Sequence, residues 1–117
     1  MLKKRSFIAG AVASLLMAGA AAQDFKNPVK IVIPFAPGGA TDALGRLLAP
    51  RLSKELSQTV IIDNKPGASG QIGTAAVKAA PPDGATFLLA LDHSVVVVPL
   101  ITPTAGYDAM KDFVPVG

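Results

Sequence analysis

Apolar residues along the chain fall into two periods, short unbroken runs and longer stretches with three- and four-residue spacing, and the two alternate. Val29-Lys30-Ile31-Val32-Ile33 is a β-branched run between Pro28 and Pro34 and predicts a strand, followed by the breaker-rich loop Phe35-Ala36-Pro37-Gly38-Gly39-Ala40. From Thr41 the period becomes helical, with Leu44, Leu47, Leu48, Leu52 and Leu56 spaced to face a core. Pro50 falls inside this stretch, and a proline removes one helical hydrogen bond, so a kink or break is expected near Leu47 to Ala49. Thr59 to Asp63 predicts a second strand, Asn64-Lys65-Pro66-Gly67 a loop, and Gly70 to Ala80 a small-residue helix with Ile72, Ala76 and Ala79 on one side. After the turn Pro81-Pro82-Asp83-Gly84, the nearly continuous apolar run Ala85 to Leu91 reads as a third strand buried on both faces.

Beyond this point the pattern is less determined. Val95 to Val98 is extended by propensity but occupies the place of a third crossover helix, and the sequence leaves the two readings open. Tyr107 to Asp112 reads as a polar connection and Phe113 to Val116 as the start of a fourth strand. Strand, loop and helix in repeated order predict an α/β fold with a mainly parallel sheet, flanking helices and right-handed crossovers.

The N-terminus has a different composition. Lys3, Lys4 and Arg5 precede an uncharged run, Phe7 to Ala22, rich in Ala and Gly and ending in small residues. It is shorter than the ~20 apolar residues of a membrane-spanning helix, so residues 1–22 read as a secretory signal peptide cleaved after Ala22. Eleven basic residues less these three leaves eight, equal to the eight acidic ones, so residues 23–117 are formally neutral. A balanced chain without basic clusters carries no electrostatic footprint for nucleic acid, and no membrane anchor is expected after cleavage. The chain has no cysteine, which excludes disulfides, thiolate metal sites and cysteine nucleophiles. The expected compartment is the periplasm.

The chemistry this layout offers is anion binding by backbone. Two strands each end in a glycine loop that feeds a helix N-terminus, where up to four N–H groups lack helical partners. In a parallel sheet both loops leave at the carboxyl edge, so Gly38-Gly39-Ala40-Thr41 and Gly67-Ala68-Ser69-Gly70 should share one cleft, with Thr41 capping the first helix. The plain alternative is that these glycines only make tight turns. Neither loop has the spacing of a nucleotide P-loop or a dinucleotide-binding turn. Asp42 reads as a first-turn acid complementing the helix dipole. Asp92-His93-Ser94 names the members of a catalytic triad, yet three adjacent residues do not align in relay geometry. A single histidine without cysteine supplies no metal constellation and no cofactor is implied, while Ser94 is a candidate neutral hydroxyl for a ligand.

Taken together, the segments Pro28 to Asp42 (PVKIVIPFAPGGATD), Asp63 to Gly73 (DNKPGASGQIG), Pro82-Asp83-Gly84, Tyr107-Asp108 and Asp112 to Val116 resemble the Bug family, the periplasmic solute receptors of tripartite tricarboxylate transporters. The resemblance runs from Pro28 to Gly117. It implies a two-lobed fold like the type II periplasmic binding proteins, of which residues 23–117 are the N-terminal part of the first lobe. It also implies no enzymatic activity, a small carboxylate ligand, and delivery of that ligand to membrane subunits of the transporter. Carried onto this sequence, the ligand-holding residues are Phe35, Pro37, Gly38, Gly39 and Thr41 in the first loop, Ala68, Ser69 and Gly70 in the second, and Ser94. The loops hold no Arg or Lys except Lys65, expected to face solvent, so backbone and water should do the holding. A piece of one lobe is not expected to work as a receptor alone. The reading from another class is a small secreted α/β enzyme or stand-alone interaction module.

Overall fold

The computed structural model describes residues 27–116; the signal peptide expected over residues 1–22 lies outside them. Three strands form a parallel sheet in the order β2-β1-β3, with β1 (Val29–Ile33) in the centre, β2 (Val60–Asn64) on one side and β3 (Thr86–Leu88) on the other. Val29 pairs with Val60 and Ile33 with Asn64, while Lys30 to Val32 pair with Thr86 to Leu88. Both crossovers therefore return the chain to the same end of the sheet, and all three strands point one way. The α/β parallel architecture read from the sequence is the one observed. The second strand sits one residue later than expected, and the third is much shorter than Ala85 to Leu91 and only half buried, since its outer edge has no neighbour among the described residues.

The helices α1 (Ala40–Leu56) and α2 (Gln71–Lys78) pack in a way the leucine spacing does not anticipate. The face of α1 turned to the sheet carries Asp42, Gly45 and Ala49, whereas Leu44 is 48% and Leu47 62% exposed. Small residues win this face because the strand side chains already fill the layer. A Cβ on Gly45 would lie 2.7 Å from Ile33 Cδ1 and 3.3 Å from Ile62 Cδ1 and Leu89 Cδ2. The same holds for α2, where Gly73 and Thr74 are buried and Ile72, the largest residue of the side that the spacing groups with Ala76 and Ala79, is 56% exposed. A Cβ on Gly73 would meet Pro34 Cα at 2.7 Å and the Lys65 carbonyl at 2.8 Å, so α2 lies hard against the exit of β1.

Pro50 does not break α1, which runs through it without interruption. The carbonyl deprived of its partner is that of Arg46, one turn earlier, and both residues lie on the exposed side where water can bond it. The helix ends at Ser57 in the left-handed region (φ 51), where Gln58 N–H returns to the Ser53 carbonyl at 3.1 Å.

The undetermined segment is helical. A π-helical turn (His93–Val97) leads into α3 (Val98–Ile101), with the Asp92 carboxylate accepting from His93 N–H at its start. Burial overrides the β preference of four successive valines here: Ser94 and Val98 are sealed, and Val98 packs with Ala105 and Tyr107 into a second small core flanked by Ala75 and Phe113. Tyr107, placed in a polar connection by the sequence reading, is buried with its hydroxyl donating to the Ser94 carbonyl. Residues 113–116 are not in a sheet, and Val114 and Val116 are exposed; the short helix α4 (Ala109–Asp112) precedes them.

Candidate functional site

The carboxyl edge of the sheet carries three exits, from Ile33, Asn64 and Leu88, and strand register places them side by side. Both glycine loops leave from this edge, as expected. The first, residues 34–39, bends through Gly38 (φ 92) and enters α1 with Pro37, Gly38 and Gly39 exposed and Phe35 half buried. Its cap is Gly39, in extended conformation with no side-chain bond. Thr41 is therefore not the cap; it is the second residue of the helix, because Ala40 already has helical geometry. The first helical bond runs from Ala43 N–H to the Gly39 carbonyl at 2.9 Å, which leaves the amides of residues 40–42 ahead of it without an intrahelical acceptor.

The second loop is conformationally unusual. Gly67, Ala68, Ser69 and Gly70 have φ of 133, 47, 57 and 92, four consecutive positive values, two of them at residues with a Cβ. Such geometry costs on the order of 1–3 kcal/mol per non-glycine residue and persists only where the surroundings hold it. Here Gly70 N–H donates to the Gly67 carbonyl at 3.0 Å, and Thr74 Oγ1 donates to the Gly70 carbonyl at 2.8 Å. Gly70 is buried so closely that a Cβ would sit 2.7 Å from Ser94 Cβ, while Ala68 and Ser69 remain exposed. Ser94 itself is fully buried and its hydroxyl donates to the Leu91 carbonyl at 3.1 Å, so it backs the second loop from inside.

Against the first loop lies a polar cluster of which the sequence reading singled out only Asp42, as a first-turn acid. Asp42, 4% exposed, accepts from Gly38 N–H at 2.9 Å, from Arg46 Nε at 2.9 Å and from Asn64 Nδ2 at 3.0 Å. Asn64 Nδ2 also donates to the Phe35 carbonyl at 3.2 Å, and Arg46 Nη2 to Asn64 Oδ1 at 3.3 Å. Arg46, and after it the Gly38 amide, hold the Asp42 carboxyl at about 2, below the usual carboxylate range. The Asp42–Arg46 spacing of four residues was a legible helix pair, but nothing local ties Asn64 to them; that contact exists only because β2 lies beside β1.

Lys65 ion-pairs with Asp63 at 3.4 Å, and Lys30 reaches the same carboxylate at 4.0 Å, so the one cation in either loop has a partner. The three residues of the apparent triad each bond locally: Asp92 to the His93 amide and Ser94 to the Leu91 carbonyl. Among the described residues no group of His, Asp or Glu is arranged to hold a metal ion, and no helix is long and apolar enough to cross a membrane. Two surface depressions, one beside Lys30, Ile61 and Asp83 and the other beside Arg46, Ala49 and Ser53, contain no residue of the glycine loops, which lie open.

Comparison with known proteins gives the context. Residues 44–117 match the family described as tripartite tricarboxylate transporter family receptor. A UPF0065 protein of Bordetella bronchiseptica is 40% identical over 116 residues, 98% of this chain and 35% of that relative. The structure of the periplasmic binding protein BugD superposes with a TM-score of 0.72 at 38% identity, over 80% of this chain and 31% of that one. MatC of Rhodopseudomonas palustris with bound malate gives 0.72 at 36% identity, and an R. palustris protein with adipate 0.71 at 43%, each over 76% of this chain and 30% of theirs. The chain thus spans about a third of the length of the curated relatives it matches. With the family matched over well over half of its residues and its fold shared with these binding proteins, the chain belongs to the tripartite tricarboxylate transporter receptors, the group of the Bug proteins.

Proposed function

We propose that this chain supplies the N-terminal part of the first lobe of a periplasmic solute receptor, exported by residues 1–22, and that its two glycine loops hold a carboxylate of a small dicarboxylic acid for delivery to transporter membrane subunits. The observation that carries the reading is the convergence of two amide-bearing loops on one sheet edge, the first entering α1 and the second built from four positive-φ residues. A helix N-terminus and a concave run of amides both favour an anion, without any cationic side chain.

Residue roles follow from position. Gly39 and Thr41 offer amides of the open first turn, and Thr41 adds a half-exposed hydroxyl. Phe35 and Pro37 wall the loop, and Gly38 turns it. Ala68 and Ser69 present the second loop's exposed backbone, and Gly70, sealed against Ser94, fixes its shape. Lys65 has no part, because Asp63 engages it. The malate and adipate bound by two structural neighbours share the dicarboxylate chemistry proposed here. Binding and release, with no bond made or broken, requires none of the nucleophile and base pairs of an enzyme.

Saturation-transfer NMR on the chain with malate, adipate and glucose tests the ligand class. Both dicarboxylates are expected to receive saturation and to compete with one another, and glucose to receive none. Transfer to glucose alone, or to no compound, contradicts the reading.

A further inference from the structure

Asp42 is out of place for a helix-dipole acid. Such a residue acts from an exposed first turn, whereas this one is buried and satisfied on both oxygens by three donors from three parts of the chain. A bare carboxylate at the mouth of an anion site would also repel the ligand. Its charge is instead matched by Arg46 and its oxygens are taken up by the Gly38 amide, Arg46 and Asn64.

We propose that Asp42 is a positioning residue for the ligand loop: held by Arg46 and Asn64, it draws the Gly38 N–H inward and so leaves the amides of residues 39–41 aimed outward at the carboxylate. The proposal rests on the dicarboxylate reading above and deepens it.

The geometry supports this in three ways. First, Gly38 has φ 92, yet a Cβ there would meet nothing within 4 Å, so the glycine is needed for the turn that delivers its amide to Asp42 and not for room. Second, Asn64 holds both ends of the loop at once, the Phe35 carbonyl directly and the Gly38 amide through Asp42. Third, Asn64 is the last residue of β2, and the next amide, Lys65 N–H, bonds the Ile33 carbonyl at 2.9 Å. The second loop therefore starts from the residue that clamps the first, and the two are fixed relative to one another. Among the described residues Arg46 is the one charged group bonded to Asp42; Asp63, on the opposite face of β2, is engaged by Lys30 and Lys65.

The test uses three variants of the chain, D42N, N64A and V60A, the last removing methyl groups from buried Val60 at the other end of β2. Amide exchange and malate-induced amide shifts are read by NMR. The expected result is exchange of the Gly38 amide about tenfold faster in D42N and N64A, and an apparent malate affinity at residues 39–41 about tenfold weaker. V60A should be destabilised with malate affinity unchanged, which a merely structural role for Asp42 would not give. Should D42N fail to fold, N64A, which leaves the Asp42–Arg46 pair intact, decides. Gly38 protection and malate response equal to wild type in a folded D42N or N64A, or an equal loss in V60A, overturns the proposal. If the wild type itself shows no malate response, the dicarboxylate reading falls, and Gly38 exchange in the variants decides alone whether Asp42 sets the loop.

Discussion

Single residues at this edge are constrained more by backbone geometry than by side-chain chemistry. Gly70 is the sharpest case, since it combines φ 92 with a neighbour 2.7 Å from where a Cβ would stand. Gly70→Ala should lose about 2–3 kcal/mol in urea unfolding, by strain plus displacement of buried Ser94; a loss below about 0.5 kcal/mol would show that the second loop relaxes freely. Asp42 gives a pH signature. Its folded value, about 2, lies below the ~3.9 of an unfolded aspartate, so its contribution is present above about pH 4 and is lost as pH falls toward 2. Asp108, lowered chiefly by the Met110 amide, and Asp112, lowered chiefly by Lys78, lose stability in the same direction, so wild type alone does not isolate Asp42. The gap between wild type and D42N does, and it should narrow steadily from about pH 5 to about pH 2. A gap independent of pH would mean that Asp42 titrates alike in the folded and unfolded chain, so that Arg46 and the Gly38 amide do not lower it.

At the scale of elements, the helices meet the sheet through Gly45, Ala49, Gly73 and Thr74 and turn their large aliphatic residues away. Leu47→Gln is therefore expected to change stability by no more than about 0.5 kcal/mol, while Ala49→Leu, which adds volume against β1 and β2, should cost about 1–3 kcal/mol. Thermal or urea unfolding distinguishes them, and the reverse order would place the leucines in the core. The strand runs around Ile31, Ile62 and Phe87, the two glycine loops and their common edge were legible, because period and breakers are local properties. The inward face of α1 was not: leucine spacing marks an apolar stripe without saying what it meets, and a tightly packed parallel sheet accepts the smallest stripe. Thr41 was misread as a cap for a simpler reason, since a glycine ahead of it serves when no side chain is needed. The valines of residues 95–98 were undecidable locally because Val98 is held by Ala105 and Tyr107, seven and nine residues further on.

Across the whole molecule, the proposed reading gives this chain one face of a site. Charge-assisted bonds from backbone amides contribute about 1.5–3 kcal/mol each, but on an open surface water competes for the same carboxylate, and hinged receptors gain affinity by enclosing the ligand between two lobes. Calorimetric titration of the chain with malate or adipate should accordingly show no micromolar binding, and such binding by a monomer would mean that these residues suffice without an enclosing second lobe. Millimolar contact remains detectable amide by amide. The most direct measurement is therefore an NMR titration of the isotope-labelled chain with adipate, assigned along the backbone. The account predicts shifts confined to residues 35–41 and 67–71, unaltered by Lys65→Ala. Shifts centred on Lys30 and Lys65, or scattered over the sheet with the two loops silent, would contradict it.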